Sequence, residues 1–197
     1  MSVPLRSIAV YCGSSPGADP TFAEAAARLG RTLGERGVRL VYGGGHVGLM
    51  GVLADAVLEA GGDVMGVITR ALEEKEVAHP GLTRLEVVTT MHERKALMAD
   101  EADAFIMMPG GFGTFDEFFE VVTWTQLGIH EKPCGVLNVA HYFDPLLALI
   151  DSAVEQRFVR AEQWSMMVVS DDPDRLVDEL AHREPIVIDK WLDRFDR

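Results

Sequence analysis

An α/β fold, a parallel sheet with helices on both faces, is what this chain predicts, and three observations carry the prediction. Short apolar runs rich in β-branched residues recur along the sequence. Segments with apolar residues at helical spacing separate them. The connections are short, as crossovers in a parallel sheet with helices on both faces are, and several of the runs end in clusters of glycine.

The first run is SIAVY, residues 7–11, which leads into the turn CGSSPG. Ser14 and Ser15 thereby stand at the carboxyl end of a strand, where open α/β sheets bind ligands. Phe22, Ala26, Leu29 and Leu33 predict a helix over residues 21–36, closed by Gly37. Residues 38–42 form the second strand and run into GGGHVGLMG. The next helix extends to about residue 60 and ends at Gly61-Gly62, and residues 63–68 form the third strand. The polar stretch 69–84 interrupts the pattern and reads as a connector with a short helix. A strand at 85–88 precedes the helix MHERKALMADEADA, with Met91, Leu97 and Met98 as its apolar contacts. Residues 104–108 are a buried strand followed by a helix to about residue 127. A strand at 134–139, a helix at 142–157 with Leu146, Leu147 and Ile150 inward, a last strand at 166–170 and a helix at 172–181 complete the pattern. Pro173 suits the first turn of that helix. The tail WLDRFDR is charged and aromatic, either frayed or docked on a partner.

With 197 residues and 48% hydrophobic content, the chain reads as one domain spanning residues 1–197, large enough to bury a core without disulfides or metal. No stretch approaches the roughly 20 apolar residues of a membrane span, and the N-terminus lacks a signal pattern. A cytoplasmic protein without a membrane partner is expected. Cys12 and Cys134 lie at the edges of strand-like runs without CxxC spacing and read as reduced core residues. A formal net charge of −13 argues against a broad basic surface for polymeric nucleic acid. It leaves room for a small phosphorylated ligand held by local groups.

The stretch PGGFGTFDE, residues 109–117, draws the rest together. Gly110, Gly111 and Gly113 free the backbone from side chains, and Thr114 stands where an N-cap hydroxyl is expected. Unpaired amides, a hydroxyl and the positive end of a helix dipole converge on a spot suited to an anion, a phosphate above all. Along the helix, Phe115, Phe118, Phe119 and Val122 form a core stripe, while Glu117 shares a face with Val121 and Trp124. Partial desolvation there would raise its pKa and suit it to proton transfer or to stabilising a cation. A first-turn acid favoured by the dipole is the competing reading.

Gly43, Gly45 and Gly48 satisfy GxGxxG between a strand and a helix. The pattern follows the second strand rather than the first, and the next strand ends in Val67-Ile68-Thr69-Arg70 without a ribose-binding acid. The loop reads better as a second approach for phosphate or sugar. No GxxxxGK[ST] sequence is present. In the first turn of the MHERKALM helix, Arg94 and Lys95 oppose the helix dipole, so one of them is a candidate for a ligand. The planar fork of Arg94 fits phosphate or carboxylate; for Lys95 a solvated ammonium is the stronger reading. His46, His92, His130 and His141 show no metal-ligand spacing and read as loop or surface residues.

TMHERKALM at residues 90–98, together with PGGFGTFDE, resembles the paired signature of the Lonely Guy family of cytokinin riboside 5'-monophosphate phosphoribohydrolases, once mislabelled lysine decarboxylases. CGSSPG, VYGGGHVGLMG and WTQLGIHEKPCGVLN extend the resemblance over most of the chain. It implies a Rossmann-like three-layer sandwich with a central parallel sheet, a homodimer, no metal, no cofactor, and Arg94 and Glu117 as the catalytic pair. The implied reaction releases a free base and ribose 5-phosphate from a nucleoside 5'-monophosphate, through an oxocarbenium-like transition state. Glu117 would stabilise that charge or activate water, with Arg94 orienting it, holding an oxygen or assisting the base. The expected substrate contacts are Ser14, Gly43, Gly44, Gly45, Met91, Arg94, Lys95, Gly110, Gly111, Gly113, Thr114 and Glu120. A non-catalytic nucleotide or cofactor carrier of the same fold is the alternative. A decarboxylase reading finds no cofactor-forming lysine with a recognisable pyridinium partner. Base preference, adenine or N6-prenylated adenine, is left open.

Overall fold

In the computed structural model, residues 5–75 and 78–183 are described. The tail WLDRFDR lies outside them. In chain order the elements are β1 (Ser7–Tyr11), α1 (Pro20–Glu35), β2 (Arg39–Tyr42), α2 (Gly48–Glu59), β3 (Val64–Thr69), α3 (Arg70–Glu73), β4 (Arg84–Val88), α4 (Met91–Asp100), β5 (Ala104–Met107), α5 (Phe112–Gln126), β6 (Cys134–Leu137), α6 (Asp144–Glu155), α7 (Ala161–Trp164), β7 (Met167–Ser170) and α8 (Pro173–Ala181). All strand pairs are parallel, in the order β4-β3-β2-β1-β5-β6-β7.

Local chemistry sets several of the boundaries. Asp19 caps α1 by accepting the Thr21 N–H at 2.9 Å, with Pro20 in the first turn. Thr90 and Glu93 close a capping box on α4: Thr90 Oγ1 accepts the Glu93 N–H, and Glu93 Oε2 accepts the Thr90 N–H. Gly37 and Gly61, with φ of 65° and 75°, end α1 and α2 in the left-handed region.

The inner strands β1, β2, β3, β5 and β6 are buried on both faces, which explains their continuous apolar runs, while the edge strands β4 and β7 are partly exposed. On one face α1, α2 and α8 contribute Leu29, Leu33, Leu53, Val57, Leu176 and Leu180 to the core. On the other, Met98 of α4, Phe118 and Val121 of α5 and the half-buried Leu146 of α6 pack on Tyr11, Phe105 and Met107. Close approach of α1 and α2 depends on glycine. A Cβ on Gly30 would come 2.6 Å from the Leu53 carbonyl oxygen, and one on Gly34 the same distance from Ala60 Cβ.

Three expectations need correction. Helix α5 begins at Phe112, with Gly111 as its N-cap, so Thr114 lies inside the first turn and is buried rather than capping. Its buried line is Thr114, Phe118 and Val121, while Phe115, Phe119 and Val122 are only half-buried. Helix α6 begins at Asp144, two residues later than its apolar spacing suggests, because Ala140 and His141 turn the chain with φ of 49° and 60°. Ile150 is half-buried on α6, and no residue of that helix is fully buried.

Candidate active site at the carboxyl edge of the sheet

The strand order reverses between β1 and β5, since the chain runs outward from β1 through β2, β3 and β4 and then returns to β5 on the other side. The carboxyl ends of the two strands bound the crevice that such a reversal opens. Three loops meet there. The Gly13 N–H donates to the Pro109 carbonyl at 3.0 Å, and the Leu49 N–H donates to the Gly13 carbonyl at 3.0 Å. Gly48 lies so close to Ser14 that a Cβ on it would be 2.2 Å from the Ser14 carbonyl carbon.

Arg94 projects from the first half of α4 into this edge and is buried. Its Nε donates to the Val67 carbonyl of β3 at 2.8 Å, Nη2 to the Gly43 carbonyl at 3.3 Å, and Nη1 to Glu117 Oε1 at 2.7 Å. The two side chains retain 7% and 11% of their exposure. A charge pair this dry is strongly directional, and losing one partner strands the other. Burial pushes the Glu117 carboxyl above the usual carboxylate range, and neighbouring Arg94 only partly opposes the shift. The Tyr11 phenol, beneath the site at the end of β1, is raised by its own burial and then by the Glu117 charge.

Lys95 is not solvated as its flexible head suggests. It is buried, with Nζ 3.0 Å from Asp116 Oδ2 and 3.1 Å from Glu120 Oε2. Burial opposes its charge, but hydrogen bonds to Asp116 and Glu120 outweigh that and raise its pKa. Adjacent residues of α4 therefore each clamp α5, Arg94 through Glu117 and Lys95 through Asp116 and Glu120.

At the start of α5, Gly111 and Gly113 are exposed, and a Cβ on either would meet nothing within 4 Å. The amides of Phe112, Gly113 and Thr114 open the helix and have no carbonyl one turn back to bond. Gly110 is packed instead, since a Cβ there would come 2.2 Å from Thr114 Oγ1. On the opposite side Gly43, Gly44 and Gly45 are buried. A Cβ on Gly43 would be 2.2 Å from Arg94 Nη2, so this glycine makes room for the guanidinium. Ser14 is exposed on the loop after β1, and Met91, the first residue of α4, is 41% exposed.

Sequence reasoning missed His79. It is buried, its Nε2 lies 2.9 Å from Asp55 Oδ1, and its Nδ1 accepts the Gly81 N–H at 3.1 Å. Its own N–H donates to the Gly44 carbonyl at 3.0 Å, and neighbouring Ala78 forms a bridge with Gly45. The polar connector thus braces the glycine loop from outside. His130 lies on the loop between α5 and β6, as expected, and is half-buried there. It packs on Phe105 with ring centroids 5.2 Å apart, and burial, helped by Lys132, pushes it down to about 4. His46, His92 and His141 are exposed, and Cys12 and Cys134 are buried thiols. Among the described residues no group of three or more His, Cys, Asp or Glu is arranged to hold a metal ion.

Comparison with known proteins adds to this geometry. The family model described as "Possible lysine decarboxylase" matches residues 50–180. A cytokinin riboside 5'-monophosphate phosphoribohydrolase of Arabidopsis thaliana is 47% identical over 180 residues, covering 91% of this chain and 83% of that protein. The enzyme of the same name from Rhodococcoides fascians is 48% identical over 168 residues, 85% of each chain. Among solved structures, the molybdenum cofactor binding protein of Rippkaea orientalis superposes with a TM-score of 0.66 at 21% identity, covering 90% of this chain and 96% of that one. The Chlamydomonas reinhardtii molybdenum cofactor carrier protein gives 0.64 at 17%, covering 91% and 99%. At these identities the structural likeness concerns the fold alone.

Proposed function

The chain belongs to the Lonely Guy family of cytokinin riboside 5'-monophosphate phosphoribohydrolases, and from that premise we propose that it hydrolyses the N-glycosidic bond of adenosine 5'-monophosphates, plain or N6-modified, to the free base and ribose 5-phosphate. The observation that carries the reading is the buried Arg94–Glu117 pair, 2.7 Å between charged atoms, beside the open glycine start of α5.

In this reading the 5'-phosphate rests on the amides of Gly111, Gly113 and Thr114, at the positive end of a 15-residue helix. Anchored there, the substrate presents its anomeric carbon to Glu117. The C1'–N bond breaks with its electron pair going to the base, which takes up a proton. Positive charge develops on the ribose and is stabilised by the Glu117 carboxylate. Water then bonds to C1' and loses a proton, for which Glu117, with its raised affinity for protons, is the acceptor. Arg94, fixed on two carbonyls, keeps that carboxylate in place. Glu120, held by Lys95, is assigned to a ribose hydroxyl, and Ser14, Met91 and the Gly43–Gly45 loop to the remaining walls. No step requires a metal or cofactor.

A homodimer is part of the proposal. Leu127 and Ile129 after α5, Leu149 on α6 and Phe158 beyond it are 43%, 64%, 65% and 86% exposed, on or beside the helices of one sheet face. No helix of the described residues is long and apolar enough to cross a membrane, and we place the protein in the cytoplasm.

The test is chromatography of purified protein incubated with AMP and, separately, with N6-isopentenyl AMP. Free base and ribose 5-phosphate from either is the expected outcome, and the rate ratio sets the substrate class. Binding of both without release of base would favour a carrier, a role for which the shared fold is suited.

A further inference from the structure

We propose that Tyr142 is a positioning residue for the substrate phosphate, its hydroxyl setting the direction of the Gly111 N–H at the start of α5. The inference rests on the reading that this helix start receives the phosphate.

The Tyr142 hydroxyl donates to the Gly110 carbonyl at 2.6 Å, across 32 residues of sequence. In a planar trans peptide the carbonyl of one residue and the N–H of the next point in opposite directions. Pinning the Gly110 oxygen therefore also aims the Gly111 amide. This peptide has particular need of a pin because it joins two glycines. With no Cβ on either side, rotation of the peptide plane is cheap. A rotated plane would offer a phosphate a carbonyl oxygen in place of a donor.

The chain adopts a costly conformation just before Tyr142. Ala140 and His141 both lie in the left-handed region, at φ 49° and 60°, which side chains rarely adopt. Asn138 at the end of β6 braces the turn: its Oδ1 accepts the Phe143 N–H at 2.8 Å and its Nδ2 donates to Asp144 Oδ1 at 2.7 Å. The ring of Tyr142 is then fixed edge-on between Phe22 and Phe143, at centroid distances of 5.7 and 4.9 Å. Burial of Phe143 accounts for the turn as packing. It does not account for the hydroxyl, which ends on the one glycine pair of the anion loop.

Tyr142→Phe keeps the ring and removes only the donor. Calorimetric titration of the unsubstituted protein and the variant with ribose 5-phosphate and with adenosine tests the idea without depending on turnover. Expected is a Kd for ribose 5-phosphate weaker by about tenfold, with adenosine binding within about twofold and the unfolding midpoint shifted little. Unchanged ribose 5-phosphate binding in the variant, or an equal loss for both ligands, overturns the inference while leaving the anion site intact. Failure of the unsubstituted protein to bind ribose 5-phosphate overturns the anion site, and the inference with it. In turnover, KM for the nucleotide should rise with kcat within about threefold. A loss confined to kcat would also count against a phosphate role.

Discussion

Glu117 is held against Arg94 at 2.7 Å in a place where the carboxylate keeps only 11% of its side-chain exposure. A carboxylate so placed cannot be relaxed by water, and its protonation equilibrium belongs to the site. Substituting Glu117→Gln preserves shape and removes the charge. Turnover should fall by about 10²–10⁴-fold or more, while Kd for ribose 5-phosphate stays within about tenfold. Single-turnover assay beside calorimetric titration checks both, and an active variant would remove Glu117 from the mechanism.

The raised pKa of Glu117 has a definite sign. If the carboxylate form works, kcat/KM should fall toward acid pH along a limb whose inflection lies above the ordinary value of 4.5. For stability the direction is opposite to that of a salt-bridged surface acid. A folded-state pKa above the unfolded one means that the native state binds the proton more tightly. This group's contribution to stability is therefore greatest below the unfolded pKa and declines as pH rises toward the folded one. A pH–rate profile with its acid limb at or below 4.5 would contradict the assignment.

Arg94 can be displaced without being touched. Gly43→Ala puts a methyl group where Nη2 lies, 2.2 Å from the guanidinium nitrogen. The fork has to leave the Gly43 carbonyl, and Glu117 loses its alignment. A fall in kcat of about 10–100-fold is expected in a folded protein. Arg94→Ala is harsher, leaving Glu117 buried without its partner at a cost of about 3–5 kcal/mol, readable in denaturant titration. Equal activity of Gly43→Ala and the parent would refute the link.

Packing of α1 on α2 supplies a prediction remote from the chemistry. Gly30→Ala drives a methyl group to 2.6 Å from the Leu53 carbonyl oxygen, backbone that cannot step aside as a side chain would. Destabilisation of about 1–3 kcal/mol follows, with KM unchanged at temperatures where the variant stays folded. A variant as stable as the parent would show that the helices separate easily.

Charge on the exposed apolar face should separate subunits. Leu149→Glu with Phe158→Asp changes two side chains that are 65% and 86% exposed, so neither should harm the fold. Sedimentation velocity is expected to show a dimer for the parent and a monomer for the double variant. A monomeric parent would end the dimer proposal.

Periodicity made the sheet legible: each buried strand was an apolar run, and every crossover but the polar stretch between β3 and β4 carried its own helical spacing. The pairing of Arg94 with Glu117 was legible only through family resemblance, because nothing at a separation of 23 residues says which helix faces which. Thr114 was misplaced because threonine is a favoured cap, whereas here extended Gly111 starts the helix and Thr114 closes over Gly110. Lys95 was misread because a polar residue looks solvated in sequence, and its burial depends on carboxylates brought in by another element. His79 and Tyr142 were invisible because each acts on a backbone carbonyl, and a carbonyl carries no signature in the amino-acid alphabet.

The three bonds of Arg94 join it to partners 51, 27 and 23 residues away, two before it in the chain and one after. During synthesis the guanidinium has its carbonyls as soon as β2, β3 and α4 have assembled, but its carboxylate arrives only with α5. A nascent chain that stops short of residue 117 has the cation in place with nothing to answer it. The two charges become a pair only when the second half of the sheet docks on the first. Hydrolytic competence is thereby tied to the arrival of α5, and a chain ending before residue 117 should not cleave nucleotides.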